Sequence, residues 1–344
     1  MELILFISIL VSFILTLAVL PYWIRKAKRT GLLWEDMNKY GKPKNVAASG
    51  GIVVVMSFVL GALFYVAIKT FILKITNDAI AGIFIKLFAL MGVILILAIV
   101  GLTDDLLGWK HGGLSKRFRI FLALVASIPL VVINAGTHVV NVPFIGSINL
   151  GLLYPLAVIP LGIAGAATVY NFLAGYNGLE AGQGIIILSA LSFVAYKTGS
   201  SWLSLIILCM VASLIAFYIF NKYPAKVFPG DSLTYSIGAL IAASAILGNF
   251  EKIALFFFIP YVIEMVLKSR GKLKKESFAK PNKDNSLELP YKKIYSLNHI
   301  AIAILKKIKK SHKVYEKEVV YFVHAVQILI IIVGFIIFRK SIFM

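Results

Sequence analysis

The feature that leaves this chain the fewest choices is a succession of long apolar blocks separated by short polar stretches. A helix needs about 20 mostly apolar residues to cross the hydrocarbon of a bilayer. Ten blocks approach or reach that length, at roughly 3–24, 50–68, 82–101, 118–134, 152–171, 184–197, 202–220, 232–247, 252–267 and 319–338. A helix is the only open element that satisfies its own backbone in lipid. The expected fold is therefore an all-α polytopic membrane protein of about ten transmembrane helices, forming a single domain over residues 1–344. Composition agrees, because 60% apolar and 15% charged residues lie far from the soluble balance. The sixth and eighth blocks are short and are expected as incomplete or tilted spans. The first block follows Glu2 and precedes its basic cluster of Arg25, Lys26, Lys28 and Arg29, which reverses the order of a signal peptide, so it is expected to stay in the membrane.

Ten spans would put both termini on one side and five loops on the other. The loops at 25–49, 102–117, 172–183, 221–231 and 268–318, with Arg119, hold 28 of the 35 Lys and Arg residues. Positive residues concentrate on the cytoplasmic side, so these five loops are expected in the cytoplasm of a cell-membrane protein with both termini outside. The net charge of +20 then describes one face, explained by topology and attraction to anionic lipid, and no nucleic acid partner is needed. The single Cys209 allows no intramolecular disulfide and reads as packing. The basic loop at 268–318 is too long for a simple connector. Its end, from Ile294 to Ile308, mixes apolar residues with Lys306 and Lys307 as a helix lying on a membrane surface does.

Acidic residues number only 15, so their placement carries information. Asp104 and Asp105 stand side by side where the third span meets its loop, and Asp231 follows Gly230 at the mouth of the eighth. An acid at a helix end can be a cap. Two adjacent carboxylates repel unless a cation or proton is shared, and Mg2+ prefers oxygen ligands from one or two carboxylates plus substrate phosphates. The fifth span runs into a loop from Asn171 to Gln183 in which glycines alternate with amides and Glu180. Glycine admits close backbone approach to a ligand, and Asn171, Asn177 and Gln183 offer paired donors and acceptors. A tight turn with glycine caps explains the same spacing equally well. Spacing thus leads to an oxygen-rich site at a membrane face, rimmed with positive charge and suited to a phosphorylated, lipid-linked substrate.

At these residues the chain closely resembles the polyprenyl-phosphate N-acetylhexosamine-1-phosphate transferases, and within them the eukaryotic and archaeal dolichyl-phosphate N-acetylglucosamine-1-phosphate branch. The resemblance runs through Asp36-Met-Asn-Lys39, Asp104-Asp105, Ser115-Lys-Arg-Phe-Arg119, the loop from Asn171 to Gln183 and Gly230-Asp231. It implies a ten-helix enzyme that moves N-acetylglucosamine 1-phosphate from UDP-N-acetylglucosamine to a polyprenyl (dolichyl) phosphate. UMP would be released, leaving the lipid-diphosphate sugar that starts glycan assembly for protein N-glycosylation. By position, Asn171 and Asp231 match Mg2+ ligands and Asp104 and Asp105 the acidic pair needed for turnover. Asn177 matches an amide that contacts uracil, and Glu35, Asp36 and Met37 a backbone segment near the uridine. Lys275 begins the counterpart of the loop that holds the sugar and diphosphate. Arg119 falls where the family has a lysine on the acceptor phosphate, and a guanidinium would keep that contact with bidentate geometry. Two positions depart: Ala47 stands where the eukaryotic branch has an acid, and the last loop lacks the Arg-His-Arg or His-rich signature.

Under this resemblance the lipid phosphate, with a second pKa near 6, is largely dianionic at neutral pH. Mg2+ would bridge the diphosphate and stabilise departing UMP. Asp104 and Asp105 would tune a proton, position the acceptor or support the metal, with a covalent phospho-aspartate as the other route. The same fold with another UDP-N-acetylhexosamine donor or an undecaprenyl-type acceptor stays open, as does a homodimer. A membrane transporter is the rival from another class, although transporter sites lie near the midplane and every acid named here lies at a helix end or loop.

Overall fold

The computed structural model describes residues 3–75, 77–142 and 146–343. Helices α1 (Ile7–Thr30) and α2 (Gly51–Ala67) are joined by a strand pair, β1 (Leu33–Glu35) and β2 (Lys44–Ala47), and α2 runs on through a π-helical turn at Ile68–Ile72. The chain continues through α3 (Asp78–His111), α4 (Lys116–Val125), α5 (Ile128–Val132) and the antiparallel β3 (Val139–Val142) and β4 (Gly146–Asn149). A π-helical turn at Tyr154–Val158 leads into α6 (Ile159–Tyr170), followed by α7 (Leu179–Lys197), α8 (Ser201–Asn221) and α9 (Asp231–Gly248). Then come α10 (Glu251–Phe257), α11 (Ile259–Arg270), the short pair β5 (Lys280–Pro281) and β6 (Leu287–Glu288), α12 (Leu297–Ile308), α13 (Glu316–Ile337) and α14 (Arg339–Phe343).

The fold is mainly helical, and among the described residues seven helical segments are long and apolar enough to cross a membrane: α1, α2 with its π-helical turn, α3, α7, α8, α9 and α13. The sixth and eighth expected spans, short by hydropathy, are full helices of 19 and 18 residues. The fourth, fifth and ninth are instead interrupted, each beside proline. Proline lacks an N–H and its ring collides with the carbonyl four residues back. Pro129 accordingly sits just after the break that ends α4 at Val125, and Pro260 just after the break that ends α10 at Phe257. Pro155 lies within the wider π-helical turn before α6, and Pro160 opens α6 itself.

Lipid removes the hydrophobic drive for helix association, so close packing of small residues takes over. Helix α1 shows this inversion. Its buried stripe is Ser8, Ser12, Thr16, Leu20, Ile24 and Ala27, spaced by four and three residues, while Leu10, Ile14 and Tyr22 face outward. The Ser213 hydroxyl of α8 donates to the Ser12 carbonyl at 3.3 Å. Helix α9 is the central post, packed on α3, α6, α2, α7, α8 and α10 and rich in buried Ser, Ala and Gly. A Cβ on Gly101 of α3 would collide with the backbone of Asp231 and Ser232, so this glycine lets the end of α3 lie directly on the start of α9. Cys209 is buried in α8.

Helix α3, with 34 residues, spans about 50 Å at 1.5 Å per residue, well over the ~30 Å of hydrocarbon. Its last turns carry Asp104 and Asp105 to one end of the bundle. Bonds across that end join the loop after α1 to the start of α13, the end of α3 to the starts of α4 and α9, and the end of α6 to α9. The middle of α11, at Glu264, ties to the start of α12 in the last loop. Helix α12 falls where the sequence places a surface helix, burying Asn298, His299, Ala301 and Ile302 and exposing Ile304 and Ile308.

Candidate active site

The site begins where α3 meets α9. The N–H of Asp231 opens α9 unpaired by its own helix, and Asp105 Oδ1 accepts it at 2.9 Å. Gly230 makes this approach feasible with φ of 70°, and a Cβ there would strike Asp105 Oδ2. The second oxygen, Asp105 Oδ2, is buried and has no hydrogen-bond partner. Asp104 is engaged on both sides: Oδ1 accepts the Leu114 N–H at 2.5 Å, and Oδ2 accepts Arg119 Nη1 at 2.7 Å. The same Nη1 lies 3.4 Å from Asp231 Oδ2 and 3.3 Å from the Tyr235 hydroxyl. Asp231 Oδ1 accepts Asn171 Nδ2 at 3.1 Å, and the Thr234 hydroxyl donates to Asn171 Oδ1 at 3.1 Å. Three carboxylates and one guanidinium thus share a few ångströms, and the surplus negative charge calls for a further cation or a shared proton.

The donor set suits a hard cation. Every candidate ligand atom is an oxygen, and one carboxylate oxygen stands buried without a partner. Turning the Asn171 amide would aim Oδ1 at a metal while Nδ2 took up the Thr234 hydroxyl, so the amide is satisfied either way. Among the described residues no three His, Cys, Asp or Glu side chains form a ready-made metal cage. Mg2+ seldom uses one, drawing its remaining ligands from water and substrate phosphate.

This cluster forms one wall of a cavity of about 1060 Å³. Of the residues singled out from sequence, Glu35, Met37, Asp105, Arg119, Asn171, Asp231 and Lys275 line it. Asp104, Asp36 and Asn177 stand behind the lining, Asp104 holding Arg119 and Asp36 accepting Asn177 Nδ2 at 3.2 Å. Ala47, the position that departs from the eukaryotic branch, is fully buried and bonded to the backbone of Lys226 and Phe228. Apolar Ile120 and Ala123 of α4 line one side, and Lys116, Lys268 and Lys274 add positive charge.

The last loop is held over the cavity by a buried anchor that sequence reading missed. Glu264 of α11 accepts the Leu297 N–H at 2.7 Å, capping α12, and the Ser277 hydroxyl at 3.3 Å. Lys268 donates to the Lys275 carbonyl at 2.9 Å, and the Lys275 ammonium lies 4.7 Å from the Tyr291 ring centre. Burial lowers the Lys268 pKa below its ordinary value, with Glu264 opposing the shift. His299 hydrogen-bonds the Phe278 carbonyl at 3.2 Å, and burial lowers its pKa. Thr234 and Tyr235 were also missed, although their spacing of three and four from Asp231 places them on its helical face. Glu264 left no such local signal.

Comparison with known proteins follows the same residues. The profile of Glycosyl transferase family 4 matches residues 87–249, which include Asp104, Asp105, Arg119, Asn171, Asn177 and Asp231. The chain is 35% identical over 298 residues to a candidate UDP-N-acetylglucosamine–dolichyl-phosphate N-acetylglucosaminephosphotransferase of Saccharolobus solfataricus, covering 86% of this chain and 87% of that one. A counterpart of the same description from Sulfolobus acidocaldarius is 35% identical over 308 residues, with 89% of each chain covered. A phospho-N-acetylmuramoyl-pentapeptide-transferase of Streptococcus agalactiae is 30% identical over 272 residues, covering 75% of this chain and 78% of its own.

Proposed function

The chain belongs to glycosyl transferase family 4, and from that premise we propose that it transfers N-acetylglucosamine 1-phosphate from UDP-N-acetylglucosamine to a polyprenyl phosphate of the dolichyl type, releasing UMP. The observation that carries this reading is the arrangement of Arg119, Asp231 and Asn171 on the wall of one large cavity, with an apolar face of α4 on one side and lysines of the last loop on another. Two phosphorylated substrates, one with a hydrocarbon tail, need that combination.

Arg119 lines the cavity and uses only Nη1 in its bonds to Asp104, Asp231 and Tyr235, which leaves Nη2 and Nε for the acceptor phosphate. Asp104, held by the Leu114 N–H on one oxygen, fixes the guanidinium with the other. Asp231 and Asn171 would hold Mg2+, which when bound would neutralise the diphosphate and the charge developing on UMP. Asp105 Oδ2 is the one carboxylate oxygen of the adjacent pair left unpaired, and it is enclosed, so Asp105 would act by holding the Asp231 N–H at the start of α9. Asp104 lies behind the cavity lining and Asp105 Oδ2 is enclosed, so direct attack of the lipid phosphate on the β-phosphorus is favoured over a phospho-aspartate. Glu35, Met37 and Tyr176 would flank the uridine, and Asn177, which stands behind the lining one residue past Tyr176, would support that wall from behind.

Purified protein given a panel of UDP-sugars and polyprenyl phosphates should release UMP fastest with UDP-N-acetylglucosamine and a dolichyl-type acceptor. Faster turnover with another UDP-N-acetylhexosamine or with an undecaprenyl acceptor would establish the second reading, which the departing loop around Lys275 and Ser277 favours. A folded protein that releases no UMP with any pair would end both.

The proposed topology has ten crossings, the interrupted α4–α5, α6 and α10–α11 segments included, with the site end of the bundle in the cytoplasm of the cell membrane and both termini outside. Supporting it, the five loops expected at that end, with Arg119, hold 28 of the 35 Lys and Arg residues. A tag after Met344 should be reached only from outside. Ser277, a natural choice for an inner reporter, is buried with its hydroxyl bonded to the Phe172 carbonyl, so the exposed Lys283→Cys serves better. It should be labelled only from the cytoplasmic side, and labelling of both sites from one side would overturn the arrangement.

A further inference from the structure

We propose that Glu316, the first residue of α13, is a positioning residue for the nucleotide end of the cavity, acting through Lys39, Asp36 and Asn177; this rests on the nucleotide reading above. Glu316 is 2% exposed, yet it lies outside the cavity lining. One carboxylate oxygen accepts the Asn177 N–H at 2.8 Å, and the other is paired with the Lys39 ammonium. Lys39 lies 3.4 Å from Asp36 Oδ2 and 4.2 Å from the Tyr223 ring centre. Asp36 Oδ2 accepts Asn177 Nδ2 at 3.2 Å, which closes a ring running from Glu316 through Lys39, Asp36 and Asn177 back to Glu316.

The position of that ring gives it a role. Glu35 and Met37, on either side of Asp36, face the cavity, as do Gly175 and Tyr176 just before Asn177. Asp36 and Asn177 turn the opposite way. The two walls that would sandwich the nucleoside are therefore tied together from behind, and Asn38 adds a parallel tie from Nδ2 to the Gly175 carbonyl at 2.8 Å. Glu316 is the corner through which both walls are fastened to a membrane-spanning helix. A buried ion pair is poor evidence of a gain in stability, because desolvation offsets much of the attraction. Fixing the register of mobile segments is the better-attested use of such a pair. The bland alternative is that Glu316 only caps α13, an acid being favourable at a helix N-terminus.

Two substitutions separate these roles. Glu316→Gln keeps one acceptor oxygen but loses the charge that holds Lys39, and it leaves the Lys39–Asp36 pair balanced. Glu316→Asp keeps the charge and the cap but draws the carboxylate back by one methylene, so it no longer spans Lys39 and the Asn177 N–H together. Binding of UMP by calorimetry, melting temperature, and KM for each substrate are the readouts. Glu316→Gln should weaken UMP binding and raise the KM for the UDP-sugar by about 10-fold, the scale of losing a group that orients a ligand-contacting residue. Glu316→Asp should weaken both by about 3-fold, the scale of one weakened hydrogen bond, with little change in melting temperature. The KM for lipid phosphate should hold in each case. Unchanged UMP binding with a lowered melting temperature would reduce Glu316 to a helix cap, and an equal rise in both KM values would reduce it to general stability. If Glu316→Gln fails to fold, Glu316→Asp alone decides by the same criteria. Wild-type protein that binds no UMP would instead overturn the nucleotide reading itself.

Discussion

Replacing Asp231 with alanine is expected to lower UMP release by about 1000-fold while leaving a folded protein, the order expected if a group stabilising transition-state charge is removed together with the Mg2+ it is proposed to hold. The fold should survive because the link between α3 and α9 runs through the Asp231 backbone N–H to Asp105, which alanine retains. Three things are lost: the oxygen that receives Asn171 Nδ2, the oxygen facing Arg119, and a negative charge. Asp231→Asn separates them, since it keeps the shape and loses the charge. With the amide of Asn171 as its other protein ligand, Mg2+ would depend on the Asp231 carboxylate for charge, so the Asn variant should be nearly as inactive as the Ala variant. Chelation should reproduce the loss in wild-type protein, and added Mg2+ should restore activity. Full turnover in metal-free buffer would remove the metal from the reaction.

The second large effect concerns Arg119. Arg119→Ala should lose about 2–4 kcal/mol of transition-state stabilisation, typical of removing a donor aimed at developing charge. The structure adds a reason beyond loss of a phosphate contact. Arg119 is the cation that touches Asp104 and Asp231 together, so its removal leaves neighbouring carboxylates with their repulsion uncompensated. Arg119→Lys should recover part of the activity, because charge survives while the planar fork does not. If Arg119 served only to anchor α4 at the interface, neighbouring Lys116 and Arg117 would cover for it. Near-normal kcat and KM for lipid phosphate in the inserted Ala variant would establish that lesser role and leave the acceptor phosphate to the lysines of the last loop.

Much of this was legible along the chain. The apolar blocks set the solvent and located the seven helices long and apolar enough to cross, since the cost of putting a helix into lipid is close to a sum over its own residues. The acids stood out because lipid makes them rare, and Asp104, Asp105 and Asp231 do meet across the ends of α3 and α9. The interruptions at Pro129 and Pro260 were written in the sequence as well, but a hydropathy count is blind to a missing N–H.

What only the tertiary structure decided is which way each side chain faces and what it faces. Sequence marked residues 35 to 37 as one segment, whereas the structure turns Glu35 and Met37 to the cavity and Asp36 to Lys39 and Asn177. Sequence offered Arg119 as a phosphate ligand, and the structure shows it shared between Asp104, 15 residues away, and Asp231, 112 residues away. Lys39 and Glu316, separated by 277 positions, gave no sign of one another. The physical reason is that helices in a bilayer are registered by the fit of small residues such as Gly101 against Asp231 and Ser232, and that fit leaves no period in the sequence. Hydropathy and charge are local properties and determine where the chain lies relative to lipid; the pairing of side chains at the site depends on helix packing, which no single segment encodes.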